Sequence, residues 1–161
     1  MTRLLAFCAA ALLAGCSAYQ LGGPKPAFRS VEVAPIRNST ARTGTHAVLH
    51  GKILEALSAD PRIRIGPGDA LLEAEVVRYQ RDGFTTKTGD AYAFTSYRVG
   101  FEVRCTLTTD GGKRVLFKDR VFRSVATLQI SGDPAAEELS LGPTLFADIA
   151  AQIREAATTA W

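Results

Sequence analysis

The stretch Ala91-Tyr92-Ala93-Phe94-Thr95-Ser96-Tyr97-Arg98-Val99-Gly100-Phe101-Glu102-Val103-Arg104-Cys105-Thr106-Leu107-Thr108-Thr109 decides the fold. Successive side chains of a strand point to opposite faces, so Tyr97, Val99, Phe101, Val103, Cys105 and Leu107 share one face with Ala91, Ala93 and Thr95. The other face carries Tyr92, Phe94, Ser96, Arg98, Gly100, Glu102, Arg104, Thr106 and Thr108. An apolar side opposed to a largely polar one belongs to a mainly antiparallel sheet covered on one face only. Asp110-Gly111-Gly112 then makes a hairpin turn, because glycine supplies the positive φ such turns require. Arg114 to Ala126 returns as the partner strand.

Upstream of this hairpin, Leu71 to Tyr79 reads as another strand, preceded by a short alternating one, Arg62-Ile63-Arg64-Ile65, and the turn Gly66-Pro67-Gly68. Asp60-Pro61 ends a helix whose apolar face is Leu49, Ile53, Ala56 and Leu57, with Thr43 or Thr45 as its N-cap. Val31 to Ile36 is a strand in which Pro35 fits best at an end or an edge, and Arg37-Asn38-Ser39-Thr40 breaks it. Downstream, Asp133-Pro134-Ala135-Ala136-Glu137 opens a helix with an N-cap, a proline at the first position and a carboxylate in the first turn. Gly142-Pro143 is expected to interrupt it. From Thr144 a second stripe of Leu145, Phe146, Ile149, Ile153, Ala156 and Ala157 runs to the C-terminus. The order β-α-β-β-β-β-α predicts an α+β two-layer sandwich, with two helices packed on one face of a mixed, mainly antiparallel sheet of four to five strands.

The first 15 residues read as a signal peptide: Arg3 is their only charge, and Leu4 to Leu13 is an apolar run too short to span a bilayer. Leu13-Ala14-Gly15-Cys16 is a lipobox, in which the Cys16 thiol accepts the diacylglyceryl group. Each buried methylene contributes about 0.8 kcal/mol, so two or more acyl chains hold a protein at its membrane. Residues 16–28 are then a lipidated N-terminus and tether, in which Gly22, Gly23, Pro24 and Pro26 oppose regular structure. Residues 29–161 form a single domain. The chain has 161 residues with 19 basic and 16 acidic side chains, and loss of the signal leaves 18 against 16. So mild an excess carries no nucleic-acid footprint. With Cys8 removed and Cys16 lipidated, Cys105 stands alone and no intramolecular disulfide can form.

No residue pattern signals catalysis, a metal or a cofactor. His46 and His50 have the i, i+4 spacing of metal ligands, but no third ligand accompanies them and Ala47 stands where a zinc protease needs glutamate. Gly-x-Ser-x-Gly is absent, and Gly111-Gly112-Lys113 lacks the spacing of a phosphate-binding loop. Cys105, on the apolar face of its strand, reads as an inert core thiol. What remains is surface, above all Phe84-Thr85-Thr86-Lys87-Thr88-Gly89-Asp90, a cationic tip beside Phe84, Tyr92 and Phe94 that can meet an anionic amphiphile.

Together these segments resemble the lipopolysaccharide-assembly lipoprotein family, LptE. The resemblance rests on Gly15-Cys16-Ser17-Ala18-Tyr19-Gln20-Leu21, Val31-Glu32-Val33, Leu54-Glu55-Ala56-Leu57, Tyr97-Arg98-Val99 and Val121-Phe122-Arg123-Ser124, in that order. It implies two helices against a four-stranded sheet. It also implies a function: an outer-membrane lipoprotein, facing the periplasm, that binds and plugs an LptD-like β-barrel translocon and assists lipopolysaccharide insertion. Lys87 occupies the family's lipopolysaccharide-contacting position near the hairpin. A second basic position, after the Phe-Arg-Ser strand, has no counterpart between Ala126 and Glu138. Ser17 after Cys16 resembles the outer-membrane sorting signal. Two competing readings are a lipoprotein that activates a peptidoglycan synthase, opposed by the short tether, and a small envelope hydrolase, opposed by the missing catalytic constellation.

Overall fold

The computed structural model describes residues 25–159, so the signal peptide, Cys16 and most of the tether lie outside the described residues. Its elements are β1 (Ser30–Val33), β2 (Arg37–Asn38), α1 (Thr45–Ser58), β3 (Arg64–Ile65), β4 (Ala70–Lys87), β5 (Asp90–Thr109), β6 (Arg114–Gln129) and α2 (Pro134–Thr158). They build an α+β sandwich with both helices packed against one face of a mixed six-stranded sheet.

The strand order is β3-β1-β4-β5-β6, with β2 also pairing β4. β1 runs parallel to β3 and β4, while β4, β5 and β6 form an antiparallel meander. The first strand is interrupted earlier than its sequence suggests. Pro35 has no N–H to give the ladder, so pairing lapses there and resumes at Arg37–Asn38, beside Glu75 and Val76 of β4. The six strands therefore include two of only two residues each, β2 and β3.

β4 is twice as long as its alternating segment. Residues 80–87 carry no apolar period, and their strand conformation is imposed by pairing with β5 through to Lys87↔Asp90. Gly89, at φ +86°, closes the connecting turn in a conformation that costs glycine nothing. Asp110, Gly111 and Gly112 also have positive φ and turn the chain between β5 and β6 as expected.

The core lies between sheet and helices. Val99, Phe101, Val103, Cys105 and Leu107 of β5 are all buried, facing Leu49, Ile53 and Leu57 of α1 and Leu145, Phe146, Ile149 and Ile153 of α2. Phe101 stacks obliquely on Phe146 at 4.6 Å and on Tyr79 at 5.2 Å. Pro26 and Phe28 are buried as well, so the packed domain takes in the last residues of the tether.

Two helix details differ from expectation. Gly44, at φ +76°, occupies the N-cap of α1; Thr45 is the first helical residue and donates its hydroxyl to the Arg42 carbonyl at 3.1 Å. α2 runs straight through Gly142-Pro143 for 25 residues. Pro143 forfeits one backbone bond, but the buried stripe continues on both sides of it, from Glu138 to Leu145, Phe146 and Ile149. The packing of those turns outweighs one missing N–H. The start of α2 is as read: Asp133 caps it, accepting from the Ala135 amide, and Pro134 follows.

Candidate functional site

The hairpin of β4 and β5 carries the features singled out in the sequence. Residues 81–90 are all exposed, and Lys87 ends β4 at the tip, paired in register with Asp90. Below the tip the rings divide between the faces. Phe84 lies under the Arg98 guanidinium, 4.7 Å from ring centroid to Cζ. Phe94 lies across Gly83, where a Cβ would come within 2.2 Å of the ring, and meets Tyr97 at 5.6 Å. Phe94 therefore joins Tyr97 and does not sit opposite it: register shifts between Gly83 and Lys87 break the strict alternation that holds from Tyr97 to Thr109.

At the base of this hairpin is an ionic cluster that the sequence reading missed. Glu138, in the first turns of α2, is 7% exposed. Its carboxylate accepts a hydrogen bond from the Tyr79 hydroxyl. It also lies 3.2 Å from a guanidinium nitrogen of Arg42 and 3.4 Å from Nε of Arg81. A buried carboxylate requires such partners. The loop before α1 sets the position of Arg42. Asn38 Nδ2 donates to the Arg42 carbonyl at 2.7 Å, Asn38 Oδ1 accepts from Thr40, and Thr40 Oγ1 accepts from the Arg42 amide. Arg81 is held over the Tyr97 ring at 4.1 Å. Burial, and then the hydrogen bond to Glu138, pushes the Tyr79 phenol up to about 12, so it stays a donor.

The signal for this cluster is present in the chain. Glu138 is seven residues before Leu145, on the buried stripe of α2, and a carboxylate on an apolar stripe demands a cation. Which cations answer depends on folding: Arg42 and Arg81 are distant in sequence from Glu138 and from each other. Next to the cluster, Val48, Phe101, Leu139, Pro143 and Phe146 line an apolar cleft of about 170 Å³ with Arg42 at its edge.

The remaining candidates are placed simply. His46 is exposed and His50 half-buried on α1, and no group of three His, Cys, Asp or Glu among the described residues could hold a metal. Cys105 is 1% exposed, and burial pushes its thiol up to about 12, which keeps it protonated. The stretch from Ala126 to Glu138 that lacks a basic residue comprises the end of β6, a short connection over 130–133 and the first turn of α2, and Glu137 in that turn accepts from the Ser131 hydroxyl and from the Ser131 and Gly132 amides. The amide of Ile130 donates to the Thr95 carbonyl, which brings this connection beside the hairpin.

No family model and no curated protein matches the chain. Solved structures do. An uncharacterised lipoprotein B from Nitrosomonas europaea has a TM-score of 0.60 at 14% identity, over 87% of this chain and 90% of that one. A Xanthomonas campestris protein of the family DUF330 has a TM-score of 0.60 at 12% identity, over 84% of this chain and 86% of that one. A minor lipoprotein from Acinetobacter baumannii has a TM-score of 0.55 at 13% identity, over 80% and 91%. The chain shares the fold of these proteins. At such identities the likeness speaks of fold alone, and it extends over nearly the full length of each neighbour. Two of the three are described as lipoproteins.

Proposed function

We propose that this chain is a lipid-anchored outer-membrane lipoprotein that binds and plugs a β-barrel translocon from the periplasmic side and assists lipopolysaccharide insertion, as the family resemblance implies. It acts as a binding subunit with no catalytic step and no cofactor. The observation that carries the reading is the two-layer architecture. Both helices take one face of the sheet, and the other face of β4, β5 and β6 is left to the surroundings with a mostly polar surface that includes Glu73, Arg98, Arg104 and Arg123. The interior of a large outer-membrane barrel is polar and wet, and a domain lodged there needs such an outside. Scattered exposed Val121, Val125 and Phe84 give apolar contact points. The lipobox and the fold shared with bacterial lipoproteins support the anchor, and the exposed tip with Lys87 supports contact with an anionic glycolipid.

The test is purification of the tagged, full-length protein from detergent-solubilised envelopes. A stoichiometric large β-barrel, recognised by its heat-modifiable mobility in gels, is the expected partner. A peptidoglycan synthase in its place would select the competing reading, and a monomer free of any barrel would overturn the proposal.

A further inference from the structure

The open face of the sheet holds a hole at Gly100. Three strands place eight residues there in register. Arg78, Glu102 and Arg123 form one row, Gln80, Gly100 and Val125 the next, and Asp82 faces Arg98 in the third. The central position has no side chain, so the backbone of Gly100 and Phe101 floors a cavity of about 200 Å³ ringed by the others. Close packing enforces the glycine: a Cβ would stand 2.9 Å from Val125 Cγ2 and 3.2 Å from the Ser124 carbonyl oxygen.

The charged groups around this hole are not spent on one another. Among the described residues, the side chains of Arg78, Glu102 and Arg123 make no hydrogen bond and no ion pair within 4.0 Å, although they are cross-strand neighbours. Arg98 lies over Phe84, and Asp82 accepts only from Gln80. Farther along the same face, Glu75 is within 3.9 Å of both Arg37 and Arg104, so the sheet can pair its charges where the geometry brings them together. Around Gly100 three guanidiniums and two carboxylates instead surround an opening with their hydrogen-bonding capacity in hand.

We propose that this hole binds a single sugar ring bearing a phosphate. Its size is below that of a drug-sized pocket and admits one small polar ring. Planar guanidinium forks match phosphate oxygens bidentately, and three of them against two carboxylates leave the rim with one excess positive charge. Glu102 and Asp82 can only accept, which suits hydroxyls of the ring, and Gln80 can do either. The glycine floor and Val125 give the ring a flat, partly apolar seat. The site is separate from Lys87 at the hairpin tip and stands independently of the barrel reading. The same chemistry is offered by a free sugar phosphate and by the phosphorylated headgroup of a glycolipid.

The experiment follows the backbone amide of Gly100 by NMR in the full-length mature lipoprotein, held in neutral detergent, during titration with glucose 1-phosphate, glucose or inorganic phosphate. A saturable shift with glucose 1-phosphate, tighter than with either half alone, is expected. Arg123→Gln should weaken it several-fold, the loss of one exposed charge at the phosphate. Glu102→Gln should weaken glucose 1-phosphate and leave inorganic phosphate unchanged, because the carboxylate reads the ring. All these side chains are at the surface, and unchanged melting temperatures would show that the variants fold. Competition by lipopolysaccharide would assign the site to the glycolipid, and its failure to the free sugar phosphate. No saturable shift, equal binding of glucose 1-phosphate and inorganic phosphate, or variants that bind like the parent would each overturn the proposal.

Discussion

Cys105 shows at the scale of one residue how burial becomes a measurable pH dependence. Its thiol is raised from 9.0 to about 12 by desolvation. The unfolded chain therefore releases this proton near pH 9, while the folded chain keeps it to about 12. Stability from this group is complete below pH 9 and declines as pH rises toward 12. Tyr79 adds to the same decline from its usual 10.0 upward. Cys105→Ala should thus flatten the first part of the alkaline loss, read as the urea midpoint against pH; an unchanged slope would place the thiol in water. Glu138 gives a second expectation. Glu138→Ala strands two guanidiniums and a phenol, and because both arginines are about a third exposed the cost should be about 2 kcal/mol, below that of a fully buried pair. Tyr79→Phe should cost about 1 kcal/mol, and the double variant less than the two together, since they share one bond. Chemical denaturation checks all three. For Lys87, replacement by glutamate turns attraction at a phosphate into repulsion, so lipopolysaccharide binding should weaken several-fold and lose part of its salt dependence. An exposed charge is worth at most about 1 kcal/mol. Lys113→Glu, at the other hairpin, is the control, and equal effects would deny the tip a special role.

Among the elements, α2 is the most informative. Pro143 sits mid-helix, where it removes one i→i−4 bond and costs about 3 kcal/mol relative to alanine in an unconstrained helix. Part of that is returned by the stiffer unfolded chain, so Pro143→Ala should stabilise by about 1–2 kcal/mol and raise the far-ultraviolet helical signal. A loss of stability would mean that the cleft lined by Pro143, Phe101 and Phe146 needs the proline ring for packing. Gly142-Pro143 looked like a stop because local propensity argues for one. Glu138 and Leu145 on one continuous buried stripe argue the other way, and tertiary contact decides. β4 makes a similar point. Its second half has no apolar period of its own and is a strand because β5 offers an equally long partner.

For the whole molecule, anchoring and architecture separate cleanly. Cys16→Ala removes the thiol that accepts the lipid, so labelled fatty acid should no longer incorporate and an unlipidated precursor should accumulate. The fold should be unaffected, with the same melting temperature as the parent, because the buried core of the described residues is built without Cys16. Lipid label retained in the variant would refute the lipobox.

The sequence by itself determined the two-layer α+β class, the covered face of β5, the hairpin turn at Asp110-Gly111-Gly112, the Asp133-capped start of α2 and the core place of Cys105. Each is a local or periodic property: alternation, glycine at positive φ, a capping carboxylate. Tertiary structure alone decided the ionic cluster on Glu138, the continuity of α2, the far half of β4, the division of Phe84 from Phe94 and the hole at Gly100. Those depend on cross-strand register and on residues such as Arg42, Arg81 and Glu138 meeting across the fold. A register is a relation between strands, and no single stretch of chain contains it.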